Sequence, residues 1–166
     1  MLDLPTMARK HLVLVALSLL LLAAGSLIAC GPEEVSDADR AAIEQTLRSY
    51  LPVLAKAYAD GNIEPLREFA AERELARVYS RVSELAEEGK VVEPTFKQMT
   101  IEQVVVWNHS NAYVTTLEVW DLRVFPSGSS TVLSEELDQS NRVKYQLQRR
   151  GDHWQVLARE LEQAVK

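Results

Sequence analysis

The sequence is short of the residues that stabilise disulfide-rich and metal-binding domains. Its 166 residues include one cysteine and three histidines. One cysteine excludes a disulfide within the chain, so a folded domain must be stabilised by its packed core. Basic residues are also in the minority, since 18 Lys and Arg face 24 Asp and Glu and the net charge is −6. Because nucleic-acid binders carry basic patches, we expect no nucleic-acid partner.

What the sequence does contain is one long apolar run, residues 12–30 (LVLVALSLLLLAAGSLIAC). The basic pair Arg9-Lys10 precedes it, and Gly25-Ser26 interrupts it shortly before Cys30. A short positive segment, an apolar core and small residues near a cleavage site are typical of a secretory signal peptide. The run is also long enough to remain as an uncleaved membrane anchor, because about 17 to 25 apolar residues cross a bilayer. In that alternative Cys30 is an ordinary buried thiol.

The end of the run, Leu27–Cys30 (LIAC), resembles the lipobox of bacterial lipoproteins. The resemblance implies that residues 1–29 are a signal peptide cut before Cys30, whose thiol carries a diacylglycerol with fatty chains such as palmitate. Stable anchoring needs two or more chains, since each buried methylene contributes about 0.8 kcal/mol. Residues 30–36 would then be a lipid-anchored tether, in which the six residues 31–36 span at most about 20 Å. We expect an extracytoplasmic protein held to the cell membrane at Cys30, in the outer membrane if the cell has two.

The first half of residues 37–166 has helical periodicity. We expect a helix over 37–60 with Ser36 as its N-cap, a short helix over 63–70 and a third helix over 72–88. The expected apolar stripes are Ile43, Leu47, Tyr50, Leu51, Leu54 and Tyr58 in the first helix, and Leu75, Val78, Tyr79, Val82, Leu85 and Ala86 in the third.

In the second half of residues 37–166, apolar and polar residues alternate with a period of two, which predicts strands. We expect strands over 96–107, 112–125, 132–149 and 153–161, with an irregularity in the third strand near 138–141. Helices followed by an antiparallel meander predict an α+β fold, in which three helices cover one face of a curved four-stranded sheet.

Several segments resemble the nuclear transport factor 2-like superfamily, a cone of helices wrapped against a curved antiparallel sheet. They are Tyr58–Asn62 with the following Pro65-Leu66, Asn111–Glu118, and Val143–Leu147 with Gly151–Val156. The last looks most like the IMS-type branch known from plastid and cyanobacterial division proteins. The resemblance implies a cystatin-like cone and an accessory binding module with an unknown protein partner. It also implies that any enzyme activity would use an Asp, His or Tyr in the mouth of the cone, but fold alone does not fix function.

Glu118 is the most prominent candidate for a functional carboxylate. Counting by two along the second strand places it on one face with apolar neighbours such as Val114 and Trp120. If that face is inward, burial would raise the pKa of Glu118 and suit it to act as a general base. The alternative is that a bulge turns it outward, or that it pairs with Arg142 or Lys144 on the next strand.

Six side chains are candidates for lining a pocket between the helices and the sheet. They are Tyr50, Tyr58, Tyr79, Glu118, Trp120 and Tyr145. Aromatic residues at these spacings are also typical of an ordinary core. His109 and His153 lie at expected turns, where we expect no metal site. The side chains of Asp152 and His153 would point apart along a strand, so we expect no catalytic dyad there.

These features favour a lipoprotein whose domain is a non-catalytic binding or scaffold module and needs no cofactor. Two alternatives stay open: a small apolar-ligand binder that uses the cone pocket, and an isomerase or cyclase type of enzyme that uses Glu118. A filled cone with a paired Glu118 favours the scaffold. An open apolar pocket favours the enzyme if Glu118 is buried there without a partner, and the binder if the pocket holds no titrating group.

Overall fold

The computed structural model describes residues 35–165 of the chain. The expected signal peptide, Cys30 and most of the tether lie outside the described residues. The elements are helix α1 (Asp37–Asp60), a 3-10 helix (Glu64–Glu68), helix α2 (Glu72–Glu87) and strands β1 (Lys90–Trp107), β2 (Asn111–Pro126), β3 (Ser134–Arg150) and β4 (His153–Val165). None of the helices described is long and apolar enough to cross a membrane.

Helix α1 begins and ends where its capping residues predict. The Ser36 hydroxyl accepts a hydrogen bond from the backbone N–H of Asp39 at 3.1 Å. The first turn carries Asp37 and Asp39, where the helix dipole favours negative charge. Gly61 ends the helix in the left-handed conformation, at φ 69°, which glycine adopts without a steric penalty. The predicted bounds of 37–60 are confirmed.

The predicted short helix over 63–70 is present but shorter, as a 3-10 helix of five residues with Pro65 in its first turn. The chain then runs along the edge of β4. The Val156 N–H donates to the carbonyl of Phe69 at 2.8 Å, and the Ala71 N–H donates to the carbonyl of Val156 at 2.9 Å. These bonds to a strand leave no room for the helix to continue to residue 70.

Helix α2 has the predicted bounds to within one residue. The face that it packs against the core differs in part from the predicted one. Leu75, Val78 and Leu85 are buried as expected. Tyr79, also predicted to face inward, is 61% exposed, whereas Glu74 is fully buried. The carboxylate of Glu74 has a hydrogen-bonding partner inside the fold, Tyr50, and a charged partner at the surface, Arg77, and these allow its burial.

The four strands form one antiparallel sheet in the order β1-β2-β3-β4. Strand β1 starts at Lys90, earlier than predicted, because it is an edge strand and tolerates Pro94, which lacks an N–H. The predicted irregularity in β3 is present, since Asp138 has φ 52° and the β2–β3 register shifts between Trp120 and Leu122. The predicted α+β fold with helices on a four-stranded antiparallel sheet is confirmed, although the helical layer holds two α-helices rather than three.

The core lies between the helices and the inner face of the sheet. Its largest fully buried side chains include Tyr50 from α1, Tyr145 from β3 and Trp154 from β4. Alternate residues of β2 from Ala112 to Trp120 are buried, as expected for a strand with one covered face. The helices therefore cover the middle of the sheet.

One end of the domain, which we call the closed end, gathers the start of α1 and two of the strand turns. Arg149 of β3 pairs with Asp39 in the first turn of α1. The Arg149 N–H donates to the carbonyl of Ser110 in the β1–β2 turn at 2.7 Å. Arg150 and His153 face each other across the β3–β4 turn. The opposite, open end holds the beginnings of β1 and β3 and the ends of β2 and β4.

Candidate functional site

Glu118 lies on the inner face of the sheet and is fully buried. Alternation along β2 places it on the same face as Val114, Thr116 and Trp120, which are also buried. The structure therefore shows the inward-facing alternative for this carboxylate.

Four side-chain donors surround the Glu118 carboxylate. Its Oε1 accepts hydrogen bonds from the hydroxyls of Thr116 at 3.0 Å and Tyr145 at 2.5 Å. Its Oε2 accepts from the indole N–H of Trp120 at 2.9 Å and the guanidinium of Arg159 at 2.9 Å. Two bonds to each oxygen is about the full capacity of an ionised carboxylate. A buried charge with an opposite charge and a full set of donors is the arrangement that a core tolerates.

Arg159 supplies the positive charge beside Glu118. Its side chain is 19% exposed, and its Nε also donates to the Tyr145 hydroxyl at 3.1 Å. Burial disfavours the charged form of Arg159, but Tyr145 and Glu118 outweigh that effect and raise its pKa. Burial, together with the charge of Glu118, raises the pKa of Tyr145 well above its ordinary value. The Tyr145 hydroxyl therefore stays protonated and keeps donating to Glu118.

A second buried carboxylate, Glu74 of α2, lies next to this group. The Tyr50 hydroxyl donates to its Oε1 at 2.7 Å, and Arg77 donates to Oε2 at 2.9 Å and to Oε1 at 2.7 Å. The backbone N–H of Arg159 donates to Oε2 at 3.2 Å. The rings of Tyr50 and Tyr145 meet edge to face with centroids 6.4 Å apart. We call the whole set the buried charge network: Tyr50, Glu74, Arg77, Glu118, Tyr145 and Arg159. Arg77 reaches it from the surface, with its side chain 48% exposed.

The buried charge network is electrically balanced, with two carboxylates and two guanidinium groups. A general base needs a lone pair directed at the proton it removes. Both oxygens of Glu118 are already directed at protein donors. The arrangement is suited to neutralising charge inside a core, and it leaves no free acceptor for a substrate proton at Glu118.

A pocket of about 400 Å³ lies at the open end. The helices supply one wall through side chains such as Leu54, Tyr58 and Leu85, and the sheet supplies the other through Leu122 and Leu161. The lining is mostly apolar, and its volume is within the range of small-molecule sites. The charged or amide side chains in the lining are Arg81, Asn141 and Arg159.

The six predicted pocket residues fall into three groups. Tyr58 and Trp120 line the pocket. The remaining buried members belong to the buried charge network behind Arg159; they are Tyr50, Glu118 and Tyr145. The placement of Tyr79 in the pocket is wrong, because α2 turns Glu74 and Val78 inward and leaves Tyr79 61% exposed.

The expected partners of Glu118 on β3 bind elsewhere. Arg142 donates to both oxygens of Glu102 at 2.7 and 2.9 Å, and Lys144 pairs with Glu162. Both side chains lie on the outer face of the sheet, opposite to Glu118, so the predicted pairing across β2 and β3 is wrong.

The residue that does pair with Glu118 could not be placed by simple alternation. Counting by two from the buried Trp154 puts Arg159 on the outer face. An extra residue on β4, between the partners of Gln146 and Leu147, shifts the register. Arg159 therefore lies opposite Tyr145 and faces inward.

Both histidines of the described range lie at the closed end. His109 is in the β1–β2 turn with φ 52°, and His153 begins β4. The Nδ1 of His153 is 3.4 Å from Oδ1 of Asp152 at the surface, so the expectation that these side chains point apart is wrong. Asp152 belongs to the turn rather than to the strand, and this contact lowers its pKa. Within residues 35–165 no cluster of His, Cys, Asp and Glu could hold a metal ion.

Comparison with solved structures first defines the class of protein, an α+β domain with the fold of a chloroplast intermembrane space region. The chain is similar to the intermembrane space region of the chloroplast protein ARC6, with 18% identity, a TM-score of 0.64, and coverage of 77% of this chain and 98% of that one. A cystatin-like domain of unknown function from Nostoc punctiforme is 12% identical, with 80% and 81% coverage and a TM-score of 0.45. Aln2 from a Streptomyces species is 15% identical, with 79% and 94% coverage and a TM-score of 0.48. At these identities the similarity to ARC6 shows the fold alone.

The family follows from the sequence match. Residues 53–157 match the family described as ARC6-like, IMS domain. This segment is more than half of the chain, which therefore belongs to the ARC6-like IMS domain family. The resemblance to the IMS-type branch is confirmed. None of the curated proteins compared with the chain matches it significantly.

Proposed function

We propose that the chain is an extracytoplasmic lipoprotein, anchored to a membrane at Cys30, whose domain is a non-catalytic module that binds or scaffolds a protein partner. The observation that carries the non-catalytic role is the saturation of Glu118 by four donors. A carboxylate whose two oxygens are both directed at protein donors has no free acceptor for a substrate proton. Membership of the ARC6-like IMS domain family supports the proposal, since the similar ARC6 region comes from an intermembrane space.

The enzyme alternative would need a proton acceptor in the pocket. Among the residues of the described range that line it, none is an aspartate, a glutamate or a histidine. Tyr58 lines it, but burial raises the pKa of its hydroxyl and so disfavours the tyrosinate that could accept a proton. The pocket instead favours a second candidate function, the binding of a small apolar ligand. The two binding roles are compatible, because a partner protein can use the outer surface while the pocket is occupied.

The anchor rests on the LIAC sequence that ends the apolar run. Two fatty chains would make the attachment stable, and a tether of at most about 20 Å would keep the domain close to the bilayer. The acidic chain, with a net charge of −6, has no general attraction to anionic lipid. The proposed attachment therefore depends on covalent lipid at Cys30 rather than on the surface of the domain.

Replacement of Cys30 tests the anchor directly. We expect wild-type protein, made in a bacterium that processes lipoproteins, to incorporate labelled palmitate and to enter the detergent-extractable membrane fraction. Cys30→Ala removes the acylated thiol, so it should lose the label and either leave the membrane fraction or remain as an unprocessed precursor. Ser26→Ala, just outside the LIAC sequence, is the matched control and should behave as wild type. Mature, membrane-bound Cys30→Ala protein would contradict the anchor.

A further inference from the structure

We propose that the pocket at the open end binds a medium-chain fatty acid, with the hydrocarbon chain against the apolar lining and the carboxylate at Arg159 and Asn141. The proposal names a ligand class for the small-ligand role of this pocket and rests on that candidate function. It does not depend on the anchor at Cys30.

The apolar walls of the pocket continue beyond the part of the sheet that the helices cover. Val92, Leu122 and Leu161 belong to three different strands and line the same pocket. Leu161 pairs with the buried Val143 and so shares the inner face, yet it is 58% exposed. A large apolar side chain at the mouth of an apolar pocket marks a surface that a ligand can cover.

The polar groups of the pocket are concentrated beside the buried charge network. Arg159 uses Nε to bond Tyr145 and Nη2 to bond Glu118. Arg159 also lines the pocket, and its Nη1 takes part in neither of these bonds, so this is the nitrogen that we expect to meet a ligand. Asn141 is the cross-strand partner of Glu118 and therefore faces the same side of the sheet. Its amide also lines the pocket.

The charges of the lining favour an anionic end group over a cationic one. Two guanidinium groups reach the pocket: that of Arg159, and that of the half-exposed Arg81, which also pairs with Glu84 at 3.1 Å. The nearest buried carboxylate, Glu118, is enclosed by its four donors and does not line the pocket. A ligand carboxylate would accept charge-assisted hydrogen bonds from Arg159 and Asn141. A purely hydrocarbon ligand would leave these donors desolvated without partners.

The test uses the full chain in phospholipid nanodiscs and a photoactivatable dodecanoate as the probe. We expect labelling, mapped by mass spectrometry, on peptides that contain Leu54–Tyr58 and Leu122. The matched dodecanol probe lacks the charge and should label roughly tenfold less, because a charge-assisted hydrogen bond is lost. Equal pocket labelling by acid and alcohol would overturn the proposal.

Two substitutions and a matched control locate the site without disturbing the buried charge network. Leu122→Trp fills the pocket and should abolish labelling, whereas Leu117→Trp adds the same bulk to the outer face of the same strand and should leave it unchanged. Asn141→Leu keeps the size of the side chain but removes a donor, so labelling by the acid should fall toward that of the alcohol. Unchanged labelling in Leu122→Trp would overturn the pocket as the site.

The remaining outcomes separate this proposal from its alternatives. A photoactivatable apolar tetrapeptide with a free C-terminal carboxylate is run in parallel. Stronger pocket labelling by that peptide would assign the site to protein C-termini and overturn the fatty-acid proposal. A protein that is lipidated at Cys30 but unlabelled in the pocket would refute only the ligand. Pocket labelling in a protein with an unmodified Cys30 would refute only the anchor.

Discussion

At the scale of single residues, Glu118 shows how this domain accommodates a charge in its core. Removing an ionised carboxylate from water costs several kcal/mol, of the order of the stability of a whole domain. Arg159 supplies the opposite charge, and the hydroxyls and indole around Glu118 satisfy the remaining lone pairs. Loss of the Glu118 charge would leave the mostly buried guanidinium of Arg159 without its counter-ion.

We therefore expect Glu118→Gln to lower the free energy of unfolding by about 3 to 5 kcal/mol, the cost of breaking a buried ion pair from one side. The matched control is Glu135→Gln, which removes one partner of the exposed Arg123–Glu135 pair and should cost less than about 1 kcal/mol. Urea unfolding followed by tryptophan fluorescence measures both. Equal, small effects of the two substitutions would show that the buried charge network contributes little to stability.

Only part of the buried charge network can be predicted from the sequence. Strand alternation places Glu118 on one face of β2 with Val114 and Trp120, but it leaves open whether that face is inward. The partner of Glu118, Arg159, is hidden by the register shift in β4, and no local pattern gives the position of a bulge. Glu74 carries a sequence signal, since it lies one turn before the buried Val78. A charged residue on an apolar stripe is nevertheless easily assigned to the surface.

At the scale of secondary-structure elements, Tyr50 of α1 and Tyr145 of β3 join the helical layer to the sheet. Burial raises the pKa of both hydroxyls well above the ordinary value of about 10. Above about pH 10 the unfolded chain releases these protons while the folded protein keeps them. The stability that these two groups confer is therefore present below about pH 10 and declines as the pH rises through the range of the raised pKa values. Between the unfolded and the folded pKa values, each tyrosine lowers the free energy of unfolding by about 1.4 kcal/mol per pH unit.

The free energy of unfolding, measured in urea from about pH 8 to about pH 11, should fall steeply at the alkaline end. Tyr50→Phe and Tyr145→Phe should each make the decline shallower, because each removes one of the two protons. Tyr58 is less buried, but its pKa is also raised, mainly by burial. It therefore adds to the alkaline decline of the free energy of unfolding. An alkaline slope that neither phenylalanine variant changes would contradict this account of the interface.

The elements themselves differ in how well the sequence predicts them. The bounds of helix α1 are predictable to the residue because Ser36 and Gly61 both leave local signatures. The segment around Pro65 is predictable in place but not in helix type, because its backbone bonds to Val156 come from a strand almost a hundred residues away. The predicted β1 is too short because Pro94 is tolerated only when the strand lies at a sheet edge. That position depends on the finished topology.

At the scale of the whole molecule, the order of helices and strands is enough to predict an α+β fold. Family membership and the similarity to ARC6 agree with it. The size and lining of the pocket could not be predicted, since they depend on where the helices stop covering the sheet. The exposed Leu161 shows this point, because its sequence position is typical of a buried strand residue.

The proposed role of the molecule depends on its attachment to a membrane. In this proposal a short tether connects the domain, which has no disulfide, to a fatty-acylated Cys30. The most direct test is mass spectrometry of the wild-type protein purified from the membranes of its own cells. The account predicts that the chain begins at Cys30 and that its sulfur carries a diacylglycerol. A finished protein that retains residues 1–29, or one with an unmodified thiol at Cys30, would contradict it.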